Sequence, residues 1–158
     1  MLFLSFFTTA LMAKTVYYHK VLWENPPTLL VCKNARIPKK LIETAVAYWM
    51  ERDQYVDIIL YDRDCENLRL NESITFHDDF LQLTELPPFA GEFERKTVGK
   101  LISDEENGFR TAATIYMNDK HRRDQEAIIV SLGMAFGIVG ASDTNDPIEQ
   151  YQITYREK

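Results

Sequence analysis

Apolar and polar positions along this chain fall into short runs that can be assigned one by one. Leu41, Ile42, Ala45, Val46 and Trp49 recur every three or four positions, with Lys39, Lys40, Glu43 and Glu51 on the other face. That spacing predicts an amphipathic helix from Pro38, whose ring suits a first turn, to about Arg52. Upstream, Thr28 to Lys33 is apolar, partly β-branched and preceded by Pro26-Pro27, which predicts a strand. Val56 to Tyr61 predicts a second strand, closed by the polar turn Asp62-Arg63-Asp64, and Ser73 to His77 a weak third. Phe80 to Glu94, with Pro87-Pro88 and Gly91, reads as an irregular excursion. Val98 to Ile102 and Thr111 to Met117 predict two more strands, linked by the charged turn Ser103 to Gly108. After the start signal Asn118-Asp119, a long helix is predicted from about Arg122 to Ile138, burying Ile128, Ile129, Leu132, Ala135 and Phe136. Turn residues follow Gly140, and Tyr151 to Tyr155 reads as a last strand. This order predicts an α+β fold, a single twisted mixed sheet packed by two helices.

Composition narrows the class. The 158 residues suit one domain with its own core, and 46% hydrophobic with 12% aromatic content excludes a disordered chain. Eighteen Lys+Arg against 24 Asp+Glu give a net charge of −6, a poor basis for a nucleic-acid surface. The one basic knot, Lys120-His121-Arg122-Arg123, lies between Asp119 and Asp124 and reads as a solvated helix start. Met1 to Ala13 is uncharged and almost wholly apolar. It is shorter than the roughly 20 residues of a membrane-spanning helix, so no stable span is expected. It reads either as a leader for export, with Thr8, Thr9, Ala10 and Ala13 near a cleavage point, or as a misassigned start or a buried strand, and residues 14–158 as a single domain. Cys32 and Cys65 fit either one disulfide in an oxidising compartment or two reduced core thiols. A disulfide would contribute about 3–4 kcal/mol in the chain-entropy model.

Within the long helix, Val130-Ser131-Leu132-Gly133-Met134-Ala135-Phe136-Gly137-Ile138-Val139-Gly140 resembles the zinc helix of the zincin metalloproteases. The metzincin and matrixin branches carry H-E-x-x-H-x-x-G-x-x-H there. Leu132-Gly133, Ala135-Phe136 and Gly137 occupy that pattern's usual filler and glycine positions. Val130, Met134 and Gly140 stand where the three zinc histidines would be, and Ser131 where the general-base glutamate would be. Zinc needs neutral imidazole or anionic ligands, and none of these four side chains supplies one. The acidic turn Ala141 to Ile148 is similar to the segment that follows in matrixin-like chains, with Glu149 in place of its methionine. The element order is also that of the upper half of a zincin domain. Close helix packing is a second explanation of Gly133, Gly137 and Gly140.

The resemblance implies a degenerate member, a pseudo-metalloprotease with no catalytic residue, no metal and no cofactor. It implies a structural or protein-interaction role, exported or in a virion or envelope assembly, with other proteins as partners. Two rivals remain open: an active hydrolase with a noncanonical site, and a protease-binding module. For the first, the histidines His19, His77 and His121 are scattered, and Ser131 with Asp143 and His121 lacks a G-x-S-x-G elbow. The carboxylates Asp78-Asp79, Asp104-Glu105-Glu106 and Asp143/Asp146 fall in turn-like clusters. Asn71-Glu72-Ser73 is a glycosylation triplet that has meaning only in a eukaryotic secretory pathway. Tyr17, Tyr18, Trp23, Trp49, Tyr151 and Tyr155 are candidate contact residues.

Overall fold

The computed structural model describes residues 14–65, 79–85, 98–150 and 154–155. The fold is α+β, as the hydrophobic pattern predicts, with a mostly parallel sheet. Its strands are β1 (Tyr17–His19), β2 (Leu22–Trp23), β3 (Thr28–Cys32), β4 (Ile59–Arg63), β5 (Phe80–Glu85), β6 (Gly99–Glu106), β7 (Phe109–Met117), β8 (Ile138–Ala141) and β9 (Thr154–Tyr155). The helices are α1 (Lys39–Met50), α2 (Gln125–Ala135) and the short α3 (Pro147–Gln150). The main sheet runs β4-β3-β5-β7-β6-β9, with β2 alongside β7, while β1 and β8 form a separate two-stranded ribbon. A second, small sheet was not expected from the pattern, because its strands are short and far apart in sequence.

Strand β5 corrects the expected excursion over Phe80 to Glu94. It lies at the centre of the sheet, parallel to both β3 and β7. Its apolar residues Leu81 and Leu83 join the core, while Gln82 and Thr84 on the opposite face are also buried. Those two polar side chains are satisfied there. Gln82 Nε2 donates to Cys32 Sγ at 3.4 Å, and Thr84 Oγ1 donates to Asn34 Oδ1 at 2.9 Å. The predicted charged turn Ser103 to Gly108 is also shorter than expected. Strand β6 runs on to Glu106, and the reversal into β7 is made by Asn107 and Gly108, both at positive φ (54° and 82°). Asn-Gly favours this tight hairpin because both central residues need φ > 0. The second strand is offset from Val56–Tyr61 to Ile59–Arg63, with a register shift that brings Arg63 opposite Cys32. The expected strand Ser73 to His77 lies outside the described residues, as does the leader Met1 to Ala13.

Helix α2 is buried along its whole inner length, from Ala127 to Ala135. Asp124 caps it by accepting from the Glu126 and Ala127 amides, so the basic knot lies in the preceding turn and not in the helix. Helix α1 packs on α2 through Trp49, which is fully buried and donates from Nε1 to the Ile129 carbonyl at 2.7 Å. Tyr17, Tyr48 and Phe136 meet the Trp49 ring edge-on. A disulfide joins Cys32 at the end of β3 to Cys65 just past β4, closing a separation of 33 residues. Among the described residues, no helix is long and apolar enough to cross a membrane.

Candidate functional site

The stretch Val130 to Gly140 is placed by α2 and the ribbon that follows it. Val130 and Ser131 are buried in the middle of the helix and Met134 near its end. Ser131 Oγ donates to the Ala127 carbonyl at 2.7 Å, one turn back, which commits the hydroxyl to the helix. Helix α2 ends at Ala135, and the chain turns out through Gly137 at φ +88°. A side chain at Gly137 would meet the backbone carbonyl of Val21, and the Lys20 amide donates to the Gly137 carbonyl at 2.8 Å. Glycine is therefore required here for two reasons, its backbone angle and the β1–β2 link lying across it. Gly133 faces Trp49, so that glycine serves close helix packing. The chain then enters β8, where Gly140 pairs with Tyr18 of β1.

The end of α2 is held by two donors. Arg110, on β7 and 2% exposed, gives Nη1 hydrogen bonds to the Met134 and Ala135 carbonyls at 2.9 and 2.8 Å. Glu105 lies 3.8 Å from its Nη2. Trp23 Nε1 donates to the Ala135 carbonyl at 2.8 Å. A cation at a helix C-terminus offsets the negative end of the dipole, and it satisfies carbonyls that a buried helix end leaves unpaired. Nothing in the pattern of strand β7 singles out Arg110, because an arginine near a hairpin reads as a surface residue.

Val130, Ser131, Met134 and Gly140 do not fit zinc. Two of the side chains are hydrocarbon or thioether packed in the core, the third is a hydroxyl bonded to its own helix, and glycine has none. The carbonyl at Met134 faces a buried guanidinium, a setting that repels a second cation. The histidines are not brought together with them. His121 sits before α2 with Nδ1 3.7 Å from Asp124 Oδ2, and His77 lies outside the described residues. His19 is the exception, since it lies opposite Ile138 in the ribbon, beside the motif's exit. Its Nε2 is buried and makes no hydrogen bond. That proximity depends on pairing between distant strands, and no local signal could have found it. Among the described residues no three His, Cys, Asp or Glu side chains cluster as metal ligands would.

Asp143 and Asp146 serve as structure, and Asp78 lies outside the described residues. Asp143 accepts from the Asn145 amide within the turn. Asp146 is buried, with Oδ1 taking the Ile148 amide and Oδ2 taking the Tyr17 hydroxyl at 2.7 Å. Arg52 Nε donates to the same hydroxyl at 3.1 Å and its guanidinium stacks on the Tyr48 ring at 3.5 Å. Burial, with the neighbouring Tyr48 hydroxyl and Asp146, holds the Tyr17 phenol far above its ordinary range. It stays neutral near pH 7 and fastens the N-terminal arm to α1 and α3. Ser131 is remote in role from Asp143 and His121, each of which has its own partner. Glu149 accepts from the Ala141 amide at 2.8 Å, capping β8 where the ribbon leaves that amide unpaired. Comparison of the chain with family models, with curated proteins and with solved structures finds no match in any of the three.

Proposed function

We propose that this chain is a non-catalytic zincin-like domain, a pseudo-metalloprotease that acts through protein contacts in an exported or virion-associated setting. The observation that carries the reading is the fate of the motif positions. Val130, Ser131 and Met134 are core residues of α2, and the Met134 carbonyl is bonded to buried Arg110. A scaffold stripped of ligands without repacking would leave a void, which destabilises a core. Filling with Val130 and Met134 and bracing by Arg110 lets the helix stand without metal. The order strand, helix, strand, strands, helix supports the same ancestry, and the Cys32–Cys65 disulfide suits an oxidising compartment.

The interaction role rests on the arm before β3. From Lys14 to Trp23 exposure alternates strictly, so Val16, Tyr18 and Leu22 point outward at 56%, 54% and 50%. Val139 on β8 and Phe109, paired with Leu22, add 48% and 40% exposed apolar surface. Clustered apolar exposure on one arm is a feature of contact surfaces. Of the aromatic candidates, Tyr18 is exposed, whereas Trp49, Trp23 and Tyr17 are committed to the interior.

Elemental analysis of protein purified from zinc-replete medium tests the reading. Less than about a tenth of an equivalent of zinc is expected from a site without ligands. A full equivalent would overturn it and favour the noncanonical hydrolase, with His19 the first ligand to substitute.

A further inference from the structure

We propose that the hollow at the carboxyl ends of β3 and β4 binds a small oxyanion, a phosphate, sulfate or carboxylate group. The hollow holds about 130 Å³ and is lined by Lys33, Asn34, Arg63, Asp64 and Cys65. In parallel sheets, ligands collect beyond the carboxyl ends of strands, where successive connections leave in opposite directions. That condition is met between β3 and β5, beside the hollow. The chain goes from β3 to β4 on one side, and β5 and β7 then follow on the other. Asn34 stands at this switch, just past the end of β3.

Asn34 is the built part of the site. Its Oδ1 accepts from Thr84 Oγ1 at 2.9 Å and from the Glu85 amide at 3.4 Å, both at the end of β5. With the carbonyl side committed, the amide is fixed in orientation and its Nδ2 protons remain to be given to an acceptor. Two cations flank it. Arg63 lies opposite Cys32 through the register shift of β4, and Lys33 follows Cys32 directly. Neither forms an ion pair among the described residues, whereas Lys14, Lys39, Arg52 and Arg110 do. The disulfide fastens the Arg63–Cys65 wall to the Lys33–Asn34 wall, so the two halves of the hollow cannot separate. A guanidinium, an ammonium and an amide donor around one small space match the acceptor oxygens of an oxyanion.

The test titrates oxidised full-length protein with inorganic phosphate, sulfate and acetate at constant ionic strength, following amide signals by NMR. Constant ionic strength removes general screening from the reading. Saturable shifts of the Asn34 side-chain amide and the Lys33 and Asp64 backbone amides are expected. Preference for phosphate and sulfate assigns a tetrahedral anion, and preference for acetate a carboxylate. Arg63→Gln should weaken binding about tenfold, the order of one charge-assisted hydrogen bond. Asn34→Asp keeps the acceptor for Thr84 and Glu85 but loses the donors, and should abolish binding. Lys39→Gln, whose cation pairs with Glu43 elsewhere, should leave it unchanged. Absence of saturable shifts with all three anions overturns the proposal. So does equal binding by wild type and Arg63→Gln, a surface change that leaves the fold standing even if Asn34→Asp does not.

Discussion

Gly133→Ala sets two effects of opposite sign against each other. On propensity alone, alanine in a helix interior is favoured over glycine by about 1 kcal/mol. Here the new methyl would stand 2.9 Å from Trp49 Cη2 and 2.8 Å from Ile148 Cδ1, with Trp49 Cζ2 nearer still. The indole has no room to yield. It is fully buried, tied to the Ile129 carbonyl, and met edge-on by three aromatic rings. Overpacking a tight core costs about 1–3 kcal/mol, and displacing the indole loosens a hydrogen bond worth about 1 kcal/mol. The net expectation is a loss of about 1–3 kcal/mol, or roughly 3–10 °C in Tm for a domain of this size. Urea unfolding of wild type and variant measures it. The cycle with Trp49→Phe isolates the cause, since the smaller ring vacates the contested volume. In that background Gly133→Ala should be neutral or stabilising. A stabilised Gly133→Ala single variant would refute the packing argument and with it the account of this glycine.

Further perturbations probe the rest of the frame. Arg110→Met removes one of two donors from each of the Met134 and Ala135 carbonyls, leaving the Gly137 amide and Trp23 Nε1, and should cost about 1–3 kcal/mol. A loss below about 1 kcal/mol in urea would show that these remaining donors suffice. Replacing Cys32 and Cys65 together by Ala should lower stability by about 3–4 kcal/mol, read from the denaturation midpoint with and without reductant. Alkaline pH should unfold the protein through its buried tyrosines. Burial raises Tyr116 from about 10 in the unfolded chain to about 12. Its contribution is thus complete below pH 10 and is lost as pH climbs from 10 to 12. Tyr17 is shifted the same way. Tyr116→Phe should flatten this decline, and an unchanged slope would deny the burial effect.

Much of the frame was legible because single elements carry their own signals. Helix α1 was fixed by its 3–4 spacing and β3 by a short apolar run after two prolines. Strand β5 was hidden because Gln82 and Thr84 interrupt the run, and their partners Cys32 and Asn34 are invisible in sequence. The charges of Asp104 to Glu106 suggested a turn, yet a strand beyond the covered part of its sheet can carry them while Asn107-Gly108 makes the reversal. Between Val130 and Gly140, the absence of metal-binding side chains was legible from residue types alone. The bracing of the helix end was not, because Arg110 and Trp23 arrive from other strands. The oxyanion hollow escaped for the same reason: Lys33-Asn34 and Arg63-Asp64 become neighbours only through parallel pairing and the disulfide.

The arm at the start of the described chain also has a consequence in time. Val16 is bonded to Ser142 across 126 positions, so β1 cannot close until the chain through Ser142 has been made. At about 5–20 residues per second of synthesis, that interval is roughly 6–25 s. Throughout it, Tyr17, Val21 and Trp23 have no interior to enter, and they travel beside Val16, Tyr18 and Leu22 as one extended apolar ribbon. A chaperone or translocation factor that grips such segments has those seconds in which to act. Docking of the arm across Gly137 ends them.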